Sequence, residues 1–95
     1  PMAAAEAMVI GTPIIATKVG GLPEMIEDKI SGILVDSKDS EALANAIEKV
    51  LKDKDLQIQL SEGGVKRMQE KYSSDKIFMN LISYFEEVHK NRGMN

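Results

Sequence analysis

Three observations predict an α/β fold in which two short parallel strands are followed by three helices. Two apolar runs, "PIIAT" at 13–17 and "SGILVD" at 31–36, lack the polar alternation of half-exposed strands and read as buried parallel ones. A helix-forming segment precedes each run, so the first third of the chain reads helix, strand, helix, strand, which calls for a right-handed crossover. From residue 37 onward the apolar residues fall at helical spacing.

Each element has its own local reason. Residues 1–10 are rich in Ala, Glu and Met, all strong helix formers, and Pro1 is tolerated in a first turn. Gly11 supplies the stop, with Pro13 just beyond it. The first strand is bounded by Pro13 and by Gly20–Gly21, which reads as a tight turn. "LPEMIED" makes a short helix with Pro23 near its first turn, and the second strand follows. The segment 39–52 places Leu43, Ile47, Val50 and Leu51 at helical spacing, with Asp39 or Ser37 as N-cap. A helix from about Asp55 to Tyr72 aligns Leu56, Leu60, Met68 and Tyr72. Its weak point is Gly63–Gly64, where each glycine costs ~1 kcal/mol relative to alanine and a break is expected if anywhere. The last helix starts at Ser73 or Ser74 and carries Ile77, Leu81, Tyr84, Phe85 and Val88 as an apolar stripe, with 91–95 expected to fray.

Composition sets the bounds. A chain of 95 residues forms one small domain at most, burying only ~60–65% of the surface its unfolded form exposes. Aromatic content is 4%, so the core must come from Ile, Leu, Val, Met and Ala. A net charge of -3 argues against a nucleic-acid partner, which would call for a basic stripe. There is no cysteine, hence no disulfide and no thiolate metal site, which fits a cytoplasmic location. No apolar run is long enough to span a bilayer, and no basic segment marks a signal peptide. The chain opens with Pro1 rather than methionine. Two parallel strands do not make a stable sheet, so the sequence reads as the last third of an α/β domain.

Several residues are candidates for chemistry. Glu6, on a helix of small and apolar residues, is either a solvent-facing glutamate or a carboxylate that accepts hydroxyl hydrogen bonds, as from a ribose diol. Gly20 and Gly21 lie past the carboxyl end of the first strand, where ligands of open α/β sheets sit. They serve either a turn needing positive φ or the close approach of backbone amides to a phosphate or sugar. Neither dinucleotide nor P-loop fingerprint is present. Glu24, in the first turn of the short helix, is explained equally by the helix dipole and by a ligand. His89 near the end of the last helix, Lys18 after the first strand, the charge runs "EKVLKDKD" and "KRMQEK", and the six methionines all have ordinary structural readings.

Taken in order, the stretch "EAMVIGTPIIATKVGGLPEMIEDKISGILVDSKDSEALANAI" resembles the C-terminal region of the retaining, nucleotide-sugar-dependent glycosyltransferases of the GT-B fold, group 1 or family 4. The resemblance is strong over 1–51 and weaker through "EKYS". It implies the C-terminal part of a Rossmann-like GT-B domain. Residues 1–36 would form a donor-crevice segment, 37–95 a helical C-terminal segment, and 1–95 together a partial donor-binding domain.

The resemblance also implies roles. The family carries two spaced glutamates, and Glu6 matches the second, which accepts hydrogen bonds from the donor ribose; the first would precede Pro1. Met2 and Ala3 match backbone positions that offer amides to the donor. Gly20, Gly21 and Glu24 match a Gly-Gly-x-x-Glu element that shapes the donor crevice. No catalytic residue, metal or cofactor is assigned; the nucleotide diphosphate sugar is a donor substrate. The groups that neutralise its diphosphate, the base-binding residues and most of the acceptor site belong to upstream parts of the parent enzyme, so the chain alone is expected to be inactive. Some family members also associate with a membrane surface. Two rivals remain: a fragment of a GT-B sugar-nucleotide epimerase, which usually carries Arg-Pro-Glu where this chain has "LPE", and a non-catalytic module whose sheet edge is covered by a second copy of the chain.

Overall fold

A computed structural model of the chain describes residues 2–72 and 76–93, apart from the side chains at 77, 78, 85, 89 and 91–93. Its elements run α1 (Met2–Val9), β1 (Ile15–Thr17), α2 (Leu22–Met25), β2 (Ile33–Val35), α3 (Ser40–Lys52), α4 (Lys54–Tyr72) and α5 (Lys76–Gly93). This is the predicted order. The expected first-turn role of Pro1, the cap at Ser73 or Ser74, and the side chains of Ile77, Phe85 and His89 lie outside the described residues.

Helix α1 stops where the sequence places the stop. Gly11 adopts φ 84°, its N–H donates to Met8 O at 3.2 Å, and the Thr12 N–H donates to Ala7 O at 2.9 Å. That pair of bonds is a Schellman cap, which satisfies carbonyls the helix would otherwise leave open. The chain then turns into β1. Strands β1 and β2 pair in parallel, Ile15 with Ile33, Ala16 with Leu34 and Thr17 with Val35. The Ile33 N–H to Ile14 O bond, 2.9 Å, extends the ladder below Ile15.

The strands are less buried than their composition predicts: all three β1 residues, and Ile33 and Leu34 of β2, are half-buried, while Val35 is buried. A two-stranded sheet leaves each strand one unpaired edge, so apolar content alone cannot cover both sides. At β2 that edge is partly closed from within, because the Leu34 N–H donates to Asp28 Oδ1 at 2.8 Å.

One apolar cluster joins the helices to the sheet. Ala4 and Met8 of α1, Met25 and Ile26 at α2, and Met68 of α4 are buried together, with Ala16, Leu34, Leu22 and Ile82 packed against them. Met8 has no exposed surface at all. Of the methionines read as core filler, Met8, Met25 and Met68 are core, whereas Met2 and Met79 are exposed. Helix α3 packs along both strands and against α4.

Asp39, not Ser37, caps α3: its Oδ1 accepts from the Ala42 N–H at 2.9 Å. Asp39→Ala is expected to lower stability by about 1 kcal/mol in urea denaturation, and Ser37→Ala to change nothing measurable. Equal midpoints for the two variants would refute the assignment. Asp53 alone separates α3 from α4; its Oδ1 accepts from the Leu56 N–H at 3.0 Å, so α4 starts one residue before the predicted Asp55.

The glycine pair of α4 does not break the helix. A Cβ on Gly63 would lie 1.9 Å from the Ile30 carbonyl oxygen, and one on Gly64 would lie 3.4 Å from the Ser31 carbonyl oxygen. The pair is a flat docking face for the turn at 27–32. That turn is closed by Ser31, a buried hydroxyl that accepts from the Glu27 N–H at 2.7 Å. No described helix is long and apolar enough to cross a membrane.

Candidate functional site

Because β1 and β2 are parallel and paired in register, both end at the same edge of the sheet, Thr17 beside Val35. The chain leaves β1 there through a turn in which the Val19 N–H donates to Thr17 O at 2.8 Å and the Leu22 N–H to Val19 O at 3.2 Å. Gly20 sits in this turn at φ 55°, and nothing lies within 4 Å of where its Cβ would be. Glycine is therefore favoured there by conformation, not by crowding, although Lys29 and Lys38 adopt similar φ of 69° and 67°. Gly21, at φ -83° and ψ 0°, has a backbone any residue can adopt. The positive-φ explanation holds for Gly20 alone. Gly21 has no conformational reason to be glycine.

Gly21 is the N-cap of α2 and offers no side chain to it; Pro23 and Glu24 occupy the first turn. Glu24 is exposed, and no described residue hydrogen-bonds or ion-pairs with its carboxylate. Its carbonyl is another matter. It accepts from Arg67 Nη2 at 2.9 Å and from Lys71 Nζ, both on α4, while Arg67 Nε donates to Met25 O at 3.3 Å. The run "KRMQEK" is thus not simply a solvated face: Arg67 is half-buried and spans to a helix 42 and 43 residues back. Sequence reasoning missed these contacts, since nothing local marks a pairing at that separation.

Lys18 follows β1 and Asp36 follows β2; their Nζ and Oδ1 lie 3.0 Å apart at the same edge. Lys18 is therefore paired rather than merely solvated, although both side chains are exposed and the pair adds ~1 kcal/mol at most.

Glu6 is half-buried on α1, and no described residue hydrogen-bonds or ion-pairs with its carboxylate. The buried stripe of α1 is Ala4 and Met8, one turn apart; Glu6 falls midway between them and so projects from the opposite flank. Met2 and Ala3, both exposed, lie one turn before Glu6 on that flank. The shared cluster ties the inner face of α1 to that of α2 through Ala4, Met8 and Met25. Gly20, Gly21 and Glu24 are brought together by one turn and one short helix. Glu6, Met2 and Ala3 form a second group on the exposed flank of the neighbouring core helix.

These features define a class: a Rossmann-like α/β unit whose parallel strand ends open onto a glycine turn and a carboxylate unpaired among the described residues, the usual place for a ligand in such sheets. Comparison with known proteins makes the class specific. The family model described as "Glycosyl transferases group 1" matches residues 1–67. The chain belongs to that family. It is 41% identical over 87 residues to a D-inositol 3-phosphate glycosyltransferase of Corynebacterium urealyticum, covering 92% of this chain and 20% of that protein. It is 34% identical over 83 residues to an uncharacterized glycosyltransferase of Methanocaldococcus jannaschii, covering 87% and 21%. Among solved structures, a C-terminal domain of a group 1 family glycosyl transferase of Francisella tularensis superposes with a TM-score of 0.66 at 35% identity, over 73% of this chain and 35% of that one. Sucrose-phosphate synthase of Thermosynechococcus elongatus superposes with a TM-score of 0.74 at 33% identity, over 96% and 23%. The fold matches part of the C-terminal domain of GT-B glycosyltransferases. The chain spans about a fifth of the length of the curated relatives it matches.

Proposed function

We propose that this chain supplies donor-binding residues to a retaining glycosyltransferase that moves a sugar from a nucleotide diphosphate sugar to an acceptor. The observation that carries the reading is Gly21. In a group 1 chain, at the shared end of two parallel strands, it is a glycine without a conformational need for one, which favours close approach of a ligand to its backbone. Glu6 would accept the ribose hydroxyls with a carboxylate that no described residue occupies, and Glu24 would line the sugar side of the crevice. Met2 and Ala3 stand in the first turn of α1, where backbone N–H groups have no intrahelical acceptor and suit the donor's phosphates. Family membership favours transfer over the epimerase reading.

Loss of the diphosphate leaving group calls for cations and amides aimed at the developing charge. Lys18, at the crevice edge, is already held by Asp36. The family resemblance puts the neutralising cations in the rest of the parent enzyme, so in this reading the 95-residue chain by itself performs no transfer.

The test is Glu6→Gln in the enzyme that carries this segment, assayed with the nucleotide sugar it uses. Losing a charged acceptor for a hydroxyl pair should lower kcat/KM for the donor about ten- to a hundredfold. An unchanged donor kcat/KM would remove Glu6 from the site. The same assay on the isolated chain with UDP-glucose, GDP-mannose and ADP-glucose should give the no-enzyme rate; turnover well above it would overturn the claim of inactivity.

A further inference from the structure

Helix α2 is one turn long and carries Glu24, immediately after Gly20–Gly21. A single turn is not stable by itself, because fixing its residues costs more than its few hydrogen bonds return. Its N-terminus has no side-chain cap. What holds it lies elsewhere. Met25 and Ile26 anchor it in the core, 8% and 1% exposed. At its other end, Arg67 and Lys71 of α4 donate to the carbonyls of Glu24 and Met25. Those carbonyls are the open acceptors of a helix C-terminus, where the dipole favours cations. The two ends of Glu24 are thus in different states: the carbonyl is tethered by two cations, and the carboxylate has no partner among the described residues.

We infer that Arg67, assisted by Lys71, is a positioning residue for donor binding. It acts through the carbonyls of Glu24 and Met25. It sets where the Gly20–Glu24 segment stands relative to the strand ends, and with it the Gly21 backbone and the Glu24 carboxylate. The inference rests on the donor-crevice reading above. Arginine suits the task because its planar fork reaches two successive carbonyls at once, Nε to Met25 and Nη2 to Glu24, which a lysine at 67 could not do.

The experiment uses the enzyme that carries this segment, with Arg67→Met, Arg67→Lys and Lys71→Met compared for donor KM, acceptor KM, kcat and Tm. Arg67→Met should raise donor KM about tenfold and Lys71→Met about threefold, with acceptor KM unchanged. Arg67→Lys, which keeps the charge and loses the fork, should fall between wild type and Arg67→Met. A donor KM that stays at the wild-type value in Arg67→Met and Lys71→Met, whatever happens to Tm, overturns the inference and leaves Arg67 a stability residue. Equal rises in donor and acceptor KM overturn it as well. If Arg67→Met does not fold, Arg67→Lys and Lys71→Met decide by the same criterion. Failure of the crevice reading is separately visible: there Glu6→Gln also leaves donor KM unaltered.

Discussion

Replacing Gly63 with alanine is expected to destabilise the 95-residue chain by about 2–3 kcal/mol, even though alanine is favoured by ~1 kcal/mol inside a helix. The added Cβ would stand 1.9 Å from the Ile30 carbonyl oxygen and 2.9 Å from its carbon. Both are backbone atoms, so relief requires moving a turn and not just a rotamer. That turn is stiff: Ile30 and Ser31 donate their N–H groups to Glu27 O at 3.0 and 2.9 Å, and Ser31 is 1% exposed. Moving α4 away instead would open its contact with α1, since a Cβ on Gly64 would lie only 3.8 Å from Met8. The neighbouring substitution is the control. At Gly64 the nearest atom to a new Cβ is the Ser31 carbonyl oxygen at 3.4 Å, an ordinary contact. Gly64→Ala should therefore leave stability unchanged or raise it by up to ~1 kcal/mol through helix propensity. Urea midpoints at matched m-values read the difference directly. Two adjacent variants with the same midpoint would show that α4 does not dock through Gly63.

Met8→Ala is expected to cost about 3 kcal/mol, within the 2–5 kcal/mol range for emptying a fully buried apolar site. Met8 is 0% exposed and sits between α1, α2 and α4, in a cluster that also holds Met25 and Met68. Neighbours on three helices cannot all collapse into the space it leaves. Met2, on the same helix, is 55% exposed. Met2→Ala makes the same chemical change with the same gain in helix propensity, and it should shift stability by no more than ~0.5 kcal/mol. Thermal or urea unfolding of the pair isolates burial from everything else. Similar losses in both would mean that α1 is not seated on Met8.

Much of the architecture is legible in the sequence because its causes are local. Gly11 ends α1 through positive φ, Asp39 caps α3 through one hydrogen bond across a turn, and the apolar runs at 13–17 and 31–36 become parallel strands. Each needs only a residue and its near neighbours. The order of Glu6, Gly-Thr-Pro, Gly20–Gly21 and Glu24 is likewise a property of the chain, and it resembles that of the group 1 glycosyl transferases, whose family model matches residues 1–67.

What sequence could not reach is what depends on two distant segments meeting. Gly63–Gly64 reads as a flaw in a helix because propensity counts only the helix; at Gly63, packed against the Ile30 carbonyl, the absence of a side chain is the fit itself. Gly20 and Gly21 look equivalent as a pair, yet only Gly20 is held at positive φ. Arg67 and Lys71 read as surface charge, yet their donors end on carbonyls 42 to 47 residues away, at the helix that carries Glu24. By itself the sequence determined the elements, their order and the family, since backbone conformation and hydrophobic pattern act over a few residues. Only the tertiary structure decided how those elements are held, because a hydrogen bond or a steric contact depends on distance in space, and the chain brings together residues that its own order keeps far apart.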